Sequence, residues 1–178
     1  LRTGRCDLLI TPLPPQGTDI MQKHILQDHY ACYFDPAARE APPNAEDYLQ
    51  ARHITVVYTD NERLNFDKIL EASGIRRNIA VSVPNFSGVP AFLKGTAMLA
   101  TMPQLLATSL MRDFASCPVP LKGRTPANFD HLPMYLAWHR RSQNDAAHRY
   151  IRGLIEEISQ KHDMARAAIP SSAQAYSK

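Results

Sequence analysis

Apolar residues at alternate positions mark the most regular strand of the chain, at Ile79, Val81 and Val83. Pro84 ends this strand, because proline has no N–H to donate to a neighbouring strand. After a short polar loop, a helix is predicted over residues 89–94, followed by a glycine that can adopt the left-handed conformation of a helix end. The pattern is therefore one strand followed by one helix.

A second unit of the same kind follows directly. Residues 97–101 form a short apolar run, which is typical of a buried strand, and Pro103 stands where the first turn of a helix accepts proline. Two successive strand–helix units predict a parallel sheet, because each helix returns the chain to the end at which the previous strand began. The predicted fold class is α/β.

Ligand sites in parallel sheets lie at the carboxyl ends of the strands, where the N–H groups of a helix start can bind an anion. Five residues occupy such junctions: Asn85, Phe86, Ser87, Thr101 and Met102. For Phe86 and Met102 the alternative is that both simply pack in the core, as most apolar residues at strand ends do.

The other elements are predicted from the same patterns. Further strands are expected at residues 7–11, 20–26, 30–34, 53–58, 117–121 and 134–139. Short helices are expected at residues 45–50 and 66–73, the second of them capped by Asn65. The proline-rich segment 35–44 is a candidate crossing between two lobes.

The clearest helix lies near the end of the chain and is capped by Asn144 or Asp145. It carries a single apolar stripe with helical spacing, formed by Ala147, Tyr150, Ile151, Leu154, Ile155 and Ile158. From Asp163 onward the periodicity is lost, so residues 163–178 are expected to form a mobile tail.

Composition excludes several classes of protein. The chain has 178 residues, 44% of them hydrophobic, and a net charge of +3, which is too small to indicate a nucleic-acid surface. No apolar run approaches the roughly 18 residues of a membrane span, and the first residues do not resemble a signal peptide. A chain that opens on a turn and a buried strand is expected to be cut from a longer protein.

No catalytic or metal-binding pattern stands out. Glycine-rich phosphate loops and the common hydrolase and metalloprotease motifs are absent. The closest group of potential metal ligands, His24, Asp28 and His29, is more typical of an exposed turn. The three widely spaced cysteines favour free thiols in a reducing compartment. Cys117 precedes Pro118, and nothing near it is expected to lower its pKa, so a reactive thiol is not expected there. We therefore predict no enzyme, no metal and no cofactor.

Several short motifs occur in an order that resembles the effector-binding domain of the LysR-type transcriptional regulators. The early motifs are Leu1-x-x-Gly4-x-x-Asp7-Leu8-x-Ile10, Leu26-x-Asp28-x-Tyr30 and Ile79-Ala80-x-x-Val83-Pro84. The later ones are Leu93-x-Gly95-x-Ala97-x-x-Ala100-Thr101-Met102-Pro103, Trp138-His139-x-Arg141 and Asp145-x-x-x-Arg149-Tyr150-x-Arg152. Together they span nearly all of residues 1–160, and they look most like regulators that respond to aromatic compounds.

The resemblance implies a fold of the type 2 periplasmic binding proteins, in which two Rossmann-like lobes are joined by two crossover segments. Lobe one would comprise residues 1–36 plus 137–162, and lobe two residues 37–136, with 163–178 as the tail. The family domain begins upstream of its Leu-x-x-Gly-x-x-Asp motif, so the first strand and helix of lobe one are expected to be missing. The DNA-binding helix-turn-helix of the family would also lie outside this chain.

The resemblance also implies a function and a cleft. The chain would be a cytoplasmic sensor of a small organic, possibly aromatic, acid, and a homodimer or homotetramer that contacts DNA only through the absent N-terminal domain and has no membrane partner. Loops matching the family cleft contain Thr11, Pro12, Thr59, Asn61, Pro84, Asn85, Phe86, Ser87, Thr101 and Met102. The alternative is a solute-binding protein or an enzyme on the same bilobed scaffold, since a fold does not determine a function.

Overall fold

The computed structural model describes residues 1–58 and 63–168, with side chains as far as residue 161. Within these ranges the chain forms seven strands: β1 Leu8–Thr11, β2 Ile20–Phe34, β3 Arg52–Val56, β4 Asn78–Val83, β5 Leu99–Pro103, β6 Ala115–Pro118 and β7 His131–His139. Four α-helices accompany them: α1 Ala45–Gln50, α2 Asn65–Ala72, α3 Val89–Leu93 and α4 Ala146–Ala168. Strands and helices alternate through the middle of the chain, which confirms the predicted α/β class.

The chain divides into two compact units. Unit 1 contains Leu1–Gln27 and the chain from Pro133 onward, and unit 2 contains Asp28–Leu132. Both divisions fall inside a strand, β2 in one case and β7 in the other. The lobe bounds expected from the sequence, 1–36 plus 137–162 and 37–136, stay a prediction.

Unit 2 is built on three parallel strands. β3 lies between β4 and β5 and pairs in parallel with both. This confirms the parallel sheet that the two successive strand–helix units predicted. The second half of β2 extends the same sheet. It pairs antiparallel with β5 on one side and with β6 on the other.

Two predicted elements are different in the structure. Residues 20–34 form one strand rather than two, because the segment 27–29 contains no glycine or proline to turn the chain. The helix expected after Pro103 is only a 3₁₀ turn, Gln104–Thr108, and Pro103 itself is the last residue of β5. The amide of Leu105 in this turn donates to the buried carboxylate of Asp28 over 3.0 Å.

Helix ends were predicted with mixed success. Asn65 does not cap α2, because the N-cap position is Leu64 and no side chain accepts a hydrogen bond there. Asp145 caps α4, with its Oδ1 atom accepting from the amide of His148 over 2.7 Å. α4 continues to Ala168, and residues 169–178 lie outside the described part of the chain. The tail expected over residues 163–178 stays a prediction.

The apolar stripe of α4 packs less than its spacing predicts. Ile155 lies against the small core of unit 1, which contains Ile25, Leu26, Leu136 and Trp138. Other residues of the stripe are exposed: Tyr150, Ile151, Leu154 and Ile158. Helical periodicity therefore identified the helix correctly but not the surface that it buries.

Arg152 holds α4 against the segment before it. Its guanidinium lies over the Trp138 ring at 4.6 Å from the centroid and donates to the carbonyl oxygens of Ser142 and Gln143.

The described helices include none that is both long and apolar enough to cross a membrane.

Candidate functional site

The carboxyl ends of three parallel strands meet at one edge of the unit 2 sheet. Val56 of β3 is paired with Val83 of β4, and Ile54 of β3 is paired with Ala100 of β5. Because parallel partners advance together, Met102 lies level with Val56. The carboxyl ends of these three strands therefore share this edge, where the sequence predicts the site.

The loop after β4 has a defined local structure. The Asn85 side chain caps the 3₁₀ turn Phe86–Gly88, since its Oδ1 atom accepts from the Gly88 amide over 3.1 Å. The Ser87 hydroxyl donates to the same Oδ1 atom over 2.7 Å. α3 continues directly from this turn, so helical backbone begins at Phe86.

This turn has the properties of a small-anion site. The first N–H groups of a helical segment have no acceptor within the segment, so they can donate to a carboxylate. Pro84, Asn85 and Ser87 are exposed, and Phe86 is half-buried, so its ring has an accessible face. The arrangement can bind a carboxylate beside an aromatic surface.

The two candidates on β5 are buried. Thr101 and Met102 are 2% and 1% exposed, and the Thr101 hydroxyl is 2.6 Å from the hydroxyl of Tyr48. Met102 is core, which is the alternative that the sequence had left open.

The remaining candidates lie elsewhere or outside the described residues. Thr11 ends β1 in unit 1, and its Oγ1 atom accepts from the amide of Leu13 over 3.2 Å. Pro12 follows it and is half-buried. Thr59 and Asn61 lie outside the described part of the chain. The set of site residues as a whole stays a prediction.

A network of buried polar side chains joins α1 and α2 to the sheet of unit 2, and the sequence patterns did not predict it. Arg77 forms an ion pair with Asp67 and donates to the Tyr48 hydroxyl over 3.4 Å. Asp67 also accepts from the hydroxyl of Thr55 over 2.8 Å. Tyr48 joins Thr101 to this network, and burial raises the pKa of Tyr48 to about 12.

A cavity of about 230 Å³ lies beside this network, with Thr55, Asp67 and Arg77 in its lining. None of the predicted site residues that the structure describes lines it. Its buried charges are already paired with one another, so we place the candidate site at the carboxyl edge rather than in this cavity.

His53 is fully buried beside the network. Its Nε2 atom is 2.6 Å from the carbonyl oxygen of Tyr48, and because a carbonyl can only accept, Nε2 carries the proton. Among the residues that the structure describes, the Nδ1 atom finds no hydrogen-bond partner. Burial, reinforced by the charge of Arg77, lowers the pKa of His53 to about 3.

The structure corrects the expectation about Cys117. Cys32 stands directly opposite it on the neighbouring strand, and the hydrogen bond from Cys32 lowers the pKa of the Cys117 thiol. No signal in the sequence brings these residues together, because they are separated by all three parallel strands. Within the described residues, no group of three or more acidic, histidine or cysteine side chains could hold a metal ion.

Comparison with known proteins identifies the family. The family model "LysR substrate binding domain" matches residues 1–159. The transcriptional activator NahR of Pseudomonas putida is 29% identical over 161 residues, covering 89% of this chain and 52% of NahR. The activator NagR of a Ralstonia species is 27% identical over 163 residues, with the same coverage of 89% and 52%. The chain thus spans about half the length of these curated relatives.

Solved structures agree on the fold. The regulatory domain of MexT, a transcriptional activator in Pseudomonas aeruginosa, superimposes with a TM-score of 0.69 at 22% identity, covering 90% of this chain and 74% of that domain. A probable transcriptional regulator from the same organism superimposes with a TM-score of 0.71 at 23% identity, covering 88% of this chain and 52% of that protein. With the family model matching most of its length, the chain belongs to the LysR substrate-binding domain family.

Proposed function

We propose that the chain is the effector-sensing domain of a cytoplasmic LysR-type transcriptional regulator, and that its effector is a small aromatic acid. The observation that carries the proposal is the family match together with the helix start at Asn85–Ser87, which includes the half-buried Phe86. The relatives NahR and NagR are both named transcriptional activators, which supports the regulatory role.

The proposed division of roles follows from the chemistry of each group. N–H groups at the start of the 3₁₀ turn bind the carboxylate, and Asn85 holds the turn in shape through its bonds to Gly88 and Ser87. Phe86 provides a stacking surface for an aromatic ring. The other loop candidates, Thr11, Pro12, Thr59 and Asn61, stay predictions.

The regulator is proposed to act as a homodimer or homotetramer, with its DNA contacts made by a part of the protein outside this chain. An effector can shift the equilibrium between two arrangements of the oligomer only if its affinity for the two differs. Sensing therefore requires that the carboxylate site has a different geometry in the two arrangements.

A ligand screen with paired compounds tests the proposal. Aromatic carboxylates, the corresponding neutral amides and aliphatic carboxylates of similar size are compared by thermal shift, and hits are measured by titration calorimetry. A ligand at 100 times its dissociation constant stabilises the fold by about 2.7 kcal/mol, which is several degrees in melting temperature for a chain of this size. We expect the aromatic carboxylates to bind and the amides to bind weakly or not at all.

Two phenylalanine variants locate the site. Phe86→Ala is expected to weaken binding of the hit by about fivefold to tenfold through the loss of stacking. Phe92→Ala removes an exposed phenylalanine from the neighbouring helix α3 and serves as the matched control, with binding unchanged. Equal effects of both variants on binding, or a loss of binding that follows the loss of melting temperature, would contradict the proposed site.

A further inference from the structure

Two of the three cysteines face each other across neighbouring strands. In the antiparallel pair of β2 and β6, Cys32 is the direct partner of Cys117. Directly opposed residues point to the same face of a sheet, and their Cα atoms are about 4.5 or 5.5 Å apart, depending on the position in the hydrogen-bond ladder. Both separations fall within the roughly 4.4–6.8 Å that a disulfide bond spans.

Pairing on both sides fixes the position of Cys32. On its other edge, β2 is paired with β5, where Thr101 is the partner of Cys32. Cys32 is therefore held in the middle of three strands and is fully buried. Cys117 is half-buried on the edge strand β6, so a small reagent can reach its thiol more easily than that of Cys32.

The more accessible thiol, that of Cys117, is also the one that loses its proton more easily. The hydrogen bond from Cys32 and the positive charge of Arg39 favour the thiolate of Cys117 and lower its pKa. For Cys32, the same hydrogen bond and burial raise the pKa, so its thiol keeps its proton. Because the thiolate is the nucleophilic form, Cys117 is the residue that attacks and Cys32 the residue that resolves.

We propose that Cys32 and Cys117 form an oxidation site, in which a peroxide converts the two thiols into an intrachain disulfide. The Cys117 thiolate attacks one oxygen of hydrogen peroxide, the O–O bond breaks, and hydroxide leaves and takes up a proton to give water. Cys117 is then a sulfenic acid. The Cys32 sulfur attacks the Cys117 sulfur, the S–O bond breaks, and the oxygen leaves as a second water molecule with the proton of Cys32.

The balance is complete without another reactant: two thiols lose two electrons and two protons, and one peroxide is reduced to two waters. The new bond joins β6 to β2 and closes a loop that contains β3, β4 and β5. Oxidation therefore constrains the part of unit 2 that carries all three parallel strands. The proposal does not rest on the effector site proposed above, since neither cysteine belongs to the turn at Asn85–Ser87.

The third cysteine provides a matched control. Cys6 is exposed and belongs to unit 1, outside the paired strands β2 and β6. Cys6→Ser removes the thiol most able to form disulfides between molecules, without changing unit 2. The test is therefore made on the full chain carrying Cys6→Ser, with and without Cys117→Ser.

The reduced chain is treated with hydrogen peroxide at neutral pH, denatured, alkylated and measured by intact-mass spectrometry and a non-reducing peptide map. In the Cys6→Ser chain we expect both remaining thiols to become resistant to alkylation, with a mass lower by two hydrogens and a linked peptide pair that contains Cys32 and Cys117. Dithiothreitol should restore both thiols. With Cys117→Ser as well, Cys32 should remain alkylatable, and its oxidation should be slower by about tenfold or more because it is buried and protonated.

Three results would overturn the proposal. The first is that both thiols stay alkylatable at a peroxide dose that oxidises a free thiol of ordinary pKa. The second is that Cys117 gains oxygen atoms while Cys32 stays free, and the third is that the only disulfides formed join two chains. Circular dichroism before treatment shows that each variant is folded, and Cys32→Ala provides a second variant, in which Cys117 is expected to gain oxygen because it has no resolving partner.

Discussion

Acidification should lower the stability of the folded chain through His53, which is buried and neutral in unit 2. The pKa of His53 is about 3 in the folded chain, against an ordinary value of 6.5, because burial disfavours the charged ring. Between these two values the unfolded chain binds a proton at this position and the folded chain does not. The contribution to stability is therefore fully present above pH 6.5 and is lost progressively as the pH falls toward 3.

The magnitude follows from the two pKa values. Each pH unit within this window costs about 1.4 kcal/mol of unfolding free energy. Lowering the pH from about 7 to about 5 should therefore cost about 2 kcal/mol at this residue alone. His53→Gln is expected to remove this pH-dependent loss, since glutamine does not titrate and its amide N–H can still donate to the carbonyl oxygen of Tyr48.

Urea unfolding followed by far-UV circular dichroism at about pH 7 and about pH 5 measures the effect. His24→Gln is the control, because it makes the same replacement at an exposed histidine. The reasoning is refuted if His53→Gln and the wild-type chain lose the same free energy between the two pH values. Absolute stability of His53→Gln is not the criterion, since any core substitution can lower it.

Two further predictions concern the buried network. Tyr48→Phe removes the hydroxyl that is hydrogen-bonded to Thr101 and should lower the free energy of urea unfolding by about 1–2 kcal/mol. The double variant Tyr48→Phe with Thr101→Val should lose less free energy than the sum of the two single losses. Strict additivity would show that the two hydroxyls are not coupled. Arg77→Met leaves the nearly buried charge of Asp67 unpaired and should cost about 3–5 kcal/mol. Arg77→Met with Asp67→Leu should recover much of that loss, and no recovery would mean that the ion pair is not the main role of Arg77.

The sequence by itself determined the α/β class and the parallel central strands. Both follow from local patterns: alternating apolar residues in β4, a short apolar run in β5 and proline or glycine at the ends of elements. The polar turn at Asn85–Ser87 could also be predicted, because an asparagine after a strand is a common helix cap. These features depend on residues that are close together in the chain.

Only the tertiary structure decided which residues from distant parts of the chain come into contact. Cys32 and Cys117 become neighbours through the pairing of β2 with β6, and Arg77 meets Asp67 and Tyr48 only after α1, α2 and the sheet have packed together. Periodicity shows which face of a helix is apolar but not what covers that face, and for this reason the stripe of α4 is less buried than its spacing predicts. Local patterns encode secondary structure, whereas long-range packing determines the burial, and hence the pKa and reactivity, of each polar group.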